Sequence, residues 1–99
     1  MFARLSTYEG SPVPAQGALS ANWEATLQQV QEVPGFRGVY YLIDRASGKA
    51  TSLTLWDDEQ TMRAGEARTT RLREEVAHRE GQRVVSVERF EVGFSHLEP

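Results

Sequence analysis

Arg4, Ser6 and Tyr8 stand at alternate positions of the segment Phe2–Tyr8. In an extended strand that spacing puts a cation, a hydroxyl and a phenol on one side. Tyr40, Thr54 and Trp56 bring further polar and aromatic groups from two later segments. Ser6, Tyr8, Tyr40 and Thr54 could each hydrogen-bond an oxygen of a small molecule, although a tyrosine hydroxyl in a sheet can equally end on a backbone group or water. Trp56 has two readings: a core aromatic at an element boundary, or one wall of a pocket for an aromatic ligand. Arg4 must find a counter-charge if it faces the interior, because an unpaired buried charge is very costly. Glu88, which shares its parity with Phe90 on the last strand, is one candidate partner. An anion carried by a ligand is the other.

Other chemistries lack their residues. The chain has no cysteine, which removes disulfides, thiolate catalysis, iron–sulfur clusters and cysteine-zinc sites. The two histidines, His78 and His96, have no ligand spacing between them, so no metal is expected. Near a helix C-terminus, His78 complements the helix dipole instead. No serine-based triad is signalled, and no cofactor is expected.

Ninety-nine residues make one domain, expected to span 1–99 with 95–99 as a frayed tail. An apolar share of 39% with 25% charged residues is that of a globular chain and not a disordered one. A net charge of −3 without a basic cluster argues against nucleic acid. No apolar run approaches the ~18 residues of a membrane span. No basic segment followed by an apolar stretch opens the chain as in a signal peptide, so the expected compartment is the cytoplasm.

The elements that position these groups read in the order β-α-β-β-α-β. Phe2–Tyr8 is the first strand, ended by Gly10-Ser11-Pro12-Val13-Pro14. Leu19, Trp23, Leu27 and Val30 form one stripe of an amphipathic helix, with Asn22 and Glu24 outside it, and the helix stops before Pro34. Phe36–Asp44 and Ala50–Trp56 form a hairpin around Gly48, where positive φ is expected. Asp57, with Gln60 as capping-box partner, is expected to start a second helix running to about Arg79. Its inner stripe is Met62, Gly65, Thr69, Leu72 and Val76. At Gly65 and Thr69 either the helix approaches the sheet closely or the missing volume is a cavity, since glycine costs a helix about 1 kcal/mol relative to alanine. Gly81 ends the helix, and Arg83–Phe94 is the last strand.

Two helices over a four-stranded sheet cover one face, and the other should then be polar. Here neither parity is. One is aliphatic: Leu5, Val39, Tyr41, Ile43, Leu53, Leu55, Val85 and Val87. The other carries Phe2, Arg4, Ser6, Tyr8, Tyr40, Leu42, Thr54, Trp56, Glu88, Phe90 and Val92. At about 25 cal/mol per Å², leaving several large aliphatics exposed forgoes several kcal/mol. A homodimer through the sheet face supplies the missing cover.

Pro34-Gly35-Phe36-Arg37-Gly38 at the entry to the second strand, and Leu53-Thr54-Leu55-Trp56-Asp57-Asp58-Glu59 where the third strand meets the helix, resemble the antibiotic biosynthesis monooxygenase (ABM-like) group of the dimeric α/β-barrel superfamily. The resemblance covers nearly the whole chain. It implies two ferredoxin-like protomers packed sheet to sheet, with the aliphatic parity inside the barrel. The parity of Arg4, Ser6, Tyr8, Tyr40, Thr54, Trp56 and Phe90 would then face the helices and, with Gly65 and Thr69, line a pocket.

Activities in that group run from cofactor-independent oxygenation of aromatic polyketides through haem degradation to members with no assigned reaction. The haem-degrading branch uses an asparagine on the first strand and a tryptophan and a histidine on the second helix. Ser6, Gly65 and Glu75 stand near those positions, with His78 three residues beyond the last, so the resemblance speaks against haem degradation. Arg37–Ile43 faintly resembles an RNA-binding motif of the RRM, but it lies on the second strand where the RRM places it on the third. Three functions stay open: a dimer binding a small apolar or aromatic molecule as a cofactor-independent monooxygenase; a non-catalytic dimer whose pocket its own side chains fill; and a metabolite-sensing ferredoxin-like module.

Overall fold

The computed structural model describes residues 1–13 and 23–99. In chain order the elements are β1 Phe2–Gly10, α1 Trp23–Gln31, β2 Phe36–Asp44, β3 Lys49–Trp56, α2 Glu59–Ala64, α3 Glu66–Arg79 and β4 Gln82–Glu91. The expectations for Pro14, Leu19 and Asn22 lie outside the described residues. The strands form one antiparallel sheet in the order β2-β3-β1-β4. This is the ferredoxin-like arrangement, with β4 beside β1 as expected.

The boundaries that differ most from the sequence expectation are the helix after β3 and the end of β4, while β1 runs two residues further, to Gly10, and β3 and β4 each start one residue earlier. The single helix from Asp57 is two helices that begin one residue later. Asp57 directly follows β3 and is held to the β2 side: its N–H donates to the Gly35 carbonyl at 2.8 Å and its carboxylate accepts from Arg37 at 3.0 Å. Asp58 is the N-cap, and its carboxylate accepts from the Thr61 N–H at 2.8 Å in a capping box with Thr61, not Gln60. The break falls at Gly65, which caps α2 and opens α3. At the other end, β4 stops at Glu91, and Phe94 beyond it is 88% exposed. The β2–β3 turn follows expectation, with Gly48 at φ +79°.

Strand register decides which side chains face the helices. Arg4 lies opposite Thr54, Ser6 opposite Ser52 and Tyr8 opposite Ala50. Val39, Tyr41 and Ile43 join Thr54, Ser52 and Ala50 from β2. For β1 and β3 the inner and outer sets are the expected ones. For β2 and β4 they are reversed: Tyr40 and Leu42 pair across from Leu53 and Thr51 on the outer face, while Glu88 and Phe90 lie opposite Leu5 and Ala3. Register irregularities at Phe36/Gly38 and at Thr7/Tyr8 sit in those two outer ladders. A slip of one residue moves a whole strand's side chains to the other face.

The helix-facing core consists of two clusters. Val33, Trp56 and Met62 pack with Phe2 and Phe36 at one end. Tyr8, Val13, Ala50 and Ala77 pack with Tyr41, Ile43 and Val84 at the other. Between them the central strands present Arg4, Ser6, Ser52 and Thr54. Three of these four are small, and that row is where volume is left unfilled.

Candidate functional site

A cavity of about 290 Å³ opens between this row and the inner faces of α1 and α3. That is near the lower end of small-molecule sites, about 300–1,000 Å³. Leu27 and Val30 from α1 and Leu72 and Val76 from α3 make its helical wall largely apolar, with Glu24, Thr26, Thr69 and Arg73 as the polar groups on the same helices. The period of these residues follows the stripes read from sequence, because residues three and four apart share a helix face. Trp23 closes the α1 side, stacked on Tyr41 at 4.5 Å between centroids and tilted by 37°. The Arg79 guanidinium lies 5.6 Å from the centroid of the Trp23 ring and donates to Thr26 at 3.2 Å, joining α1 to the end of α3.

Arg4 is the most constrained polar group of the site. It is 2% exposed. Its Nη1 donates to Thr69 Oγ1 at 2.7 Å and its Nη2 to the Met62 carbonyl at 2.8 Å, satisfying an acceptor near the end of α2. The expected Arg4–Glu88 pair does not form, because Glu88 sits opposite Leu5 on the other face of the sheet. The carboxylate near Arg4 is that of Glu66, 3.9 Å away, and Glu66 is also bound by Arg89. Burial, reinforced by the guanidiniums of Arg73, Arg89 and Arg63, pulls the Arg4 pKa down to about 10. It is therefore still a cation at neutral pH.

Tyr8 is 4% exposed and shares a 2.7 Å hydrogen bond with Ser52. Burial pushes its phenol up, against the opposing pull of that bond and of Arg73. Tyr41 is pushed up to about 12, by burial first and then by Glu80 and Tyr8. Both phenols are thus neutral donors at physiological pH.

Of the residues singled out from sequence, Arg4, Ser6, Tyr8, Thr54 and Thr69 line the cavity. Four others do not. Trp56 is fully buried in the first core cluster, meeting Phe36 edge-on at 5.6 Å. It reaches the site only indirectly, donating to Thr54 at 3.0 Å and lying 5.5 Å beneath the Arg4 guanidinium. Tyr40 and Phe90 are on the outer face, each 47% exposed. Gly65 opens no cavity and touches no strand: a Cβ there would meet Val33 Cγ1 at 2.5 Å, so its missing side chain accommodates the α1–β2 connection.

Sequence reasoning missed Tyr41, Ser52 and Arg73 as lining residues. Ser52 could have been found from its alternation with Thr54, and Arg73 from its place next to the Thr69–Leu72–Val76 stripe. Tyr41 required the true register of β2. Among the described residues, no three histidine, aspartate or glutamate side chains gather as a metal site requires.

The fold is that of a ferredoxin-like α+β domain with one four-stranded antiparallel sheet. Among solved structures the chain is similar to SnoaB, a cofactor-independent oxygenase from Streptomyces nogalater. The TM-score is 0.62 at 19% identity, covering 98% of this chain and 95% of that one. A variant of SnoaB gives 0.61 at 18% identity, with 98% of each chain covered. At these identities the likeness is one of fold. Two uncharacterised proteins of Mycobacterium tuberculosis, from strains CDC 1551 and H37Rv, are each 29% identical over 77 residues, which is 78% of this chain. The chain spans about a third (33%) of the length of these curated relatives. No family model matches. Among the described residues no helix is long and apolar enough to cross a membrane.

Proposed function

We propose that the domain is a homodimer whose cavity binds a small apolar or aromatic molecule and oxygenates it without a cofactor. The observation that carries this reading is the cavity itself. Leucine and valine from two helices enclose a floor of hydroxyls, two tyrosines and a buried guanidinium. Apolar walls with a few convergent polar groups are what a flat, oxygen-bearing ring requires. The likeness to a cofactor-independent oxygenase supports the reaction class.

In such a reaction a ring methylene and O2 become a ring carbonyl and water. Two C–H bonds and the O–O bond break, and the substrate supplies all the electrons. The chain's own part is to exclude bulk water, to donate hydrogen bonds from Tyr8 and Tyr41, and to favour the ionised form of the substrate. An opposite charge within about 4–6 Å lowers a pKa by about 1–3 units.

The outer sheet face supports the dimer. Tyr40, Leu42 and Phe90 are each 47% exposed there, above half-buried Leu5, Leu53 and Leu55. Full burial of one such side chain is worth about 1.5–3 kcal/mol. Covering the exposed halves of these three recovers roughly 2–4 kcal/mol on each protomer.

One observation favours a second reading, binding without turnover. Tyr8 and Tyr41 are held neutral and no histidine lines the cavity, so Glu24, exposed on α1, is the one carboxylate among the described lining residues and no buried group there is set to take a proton. Oxygen uptake with anthrone separates the two. Turnover gives uptake above protein-free autoxidation, equimolar with anthraquinone, and weakened by Ser52→Leu, which fills the cavity. Uptake at the protein-free rate with anthrone bound, seen by tryptophan fluorescence, leaves the metabolite-binding module. Neither uptake nor binding refutes both.

A further inference from the structure

Charge is unevenly matched around the cavity. Arg4 reaches it from the sheet and Arg73 from α3. Arg4 spends its two terminal nitrogens on neutral acceptors, Thr69 and the Met62 carbonyl, while its buried Nε has no partner among the described residues. The carboxylate close to it, Glu66, is shared with Arg89. Arg73 is half-buried and makes no hydrogen bond or ion pair among the described residues. Glu74 on its own helix and the Tyr8 phenol act on it only at a distance, and burial weakens its hold on its proton. Glu24 also lines the cavity, but it is exposed on α1.

Desolvating a cation without a partner is unfavourable. An arginine held this way in a ligand-sized cavity is a functional-site signature. The planar guanidinium matches a carboxylate, or an ionised phenol or enol, with charge-assisted hydrogen bonds. We infer that the cavity selects aromatic ligands bearing an anionic oxygen, with Arg73 as the specificity-determining residue and Arg4 fixing the positive field behind it. This rests on the reading of the cavity as a small-molecule site and adds the charge of the ligand to it.

Titration calorimetry with two naphthalenes of similar shape tests it: 2-naphthoate, an anion at neutral pH, and 2-naphthylmethanol, which is neutral. The protein is expected to bind the naphthoate about tenfold or more tightly, tenfold being 1.4 kcal/mol. Arg73→Gln is expected to weaken binding of the naphthoate by more than that of the neutral compound and so to remove most of that preference. Arg73 is half-buried and makes no hydrogen bond or ion pair among the described residues, so the variant should melt as the parent does by circular dichroism. Equal affinity for the two compounds overturns the inference and leaves the aromatic cavity standing. So does a preference that survives Arg73→Gln. If neither compound binds, the cavity reading and the inference both fall.

Discussion

Gly65→Ala tests whether Gly65 is a packing requirement or a lining residue of the cavity. The added Cβ would lie 2.5 Å from Val33 Cγ1, whereas carbon atoms in contact sit at about 3.5–4.0 Å. A displacement of roughly 1 Å or more is needed. Val33 cannot easily move, being 3% exposed and packed against Trp56 and Met62. Overpacking of this kind costs about 1–3 kcal/mol. Alanine returns at most about 1 kcal/mol of helix propensity, and less at a residue with φ −89° and ψ 3° that caps one helix and opens the next. A net loss of about 1–2 kcal/mol is expected. In a domain of this size each kcal/mol lowers Tm by roughly 4–8 °C. Thermal and urea melts of the parent, Gly65→Ala, Val33→Ala and the double variant measure the coupling. The loss from Gly65→Ala should shrink by at least about 0.5 kcal/mol in the Val33→Ala background. A stabilised Gly65→Ala, or an effect indifferent to Val33, refutes the close approach and returns the position to the cavity.

Leu42→Glu puts a charge into the exposed apolar patch of the outer sheet face and is expected to convert a dimer into a monomer at micromolar concentration by light scattering, with the circular dichroism spectrum kept. A parent that is already monomeric, or a variant that still pairs, defeats the burial argument for the interface. Tyr41 makes a prediction at high pH. Its folded pKa of about 12 lies above the usual 10, so its stabilising contribution is intact below pH 10 and is lost as pH rises towards 12. Arg4, pulled down to about 10 from 12.5, acts in the opposite sense over much of the same window, so the test is a difference. Tyr41→Phe should lose less stability than the parent between pH 10 and 12 in urea melts, and equal losses would refute the burial of that phenol.

Much of the architecture was legible because it depends on local periodicity. Alternation in Phe2–Tyr8 and the stripe through Met62, Thr69, Leu72 and Val76 locate the buried faces without any partner in view. The helix start was misread by one residue, since Asp57 and Asp58 are equally good caps by type. The choice fell to Gly35, just before β2, and Arg37, on it, which hold Asp57 from that side.

By itself the sequence determined the element order, the absence of thiol chemistry, and the presence of a row of Arg4, Ser6, Tyr8 and Thr54 able to meet a ligand. It also determined that a buried Arg4 would need company, because the cost of an isolated charge does not depend on the fold. Which partners it found, only the tertiary structure decided. β4 pairs with β1 in a register that sends Glu88 to the far side and brings Arg89 and Glu66 near instead. The same holds for Tyr41, which reaches Trp23 across the cavity while its neighbour Tyr40 faces outward. Parity along one strand is set by the residues themselves. Parity between strands is set by register, and a one-residue irregularity in a ladder reverses it without leaving any mark in the composition.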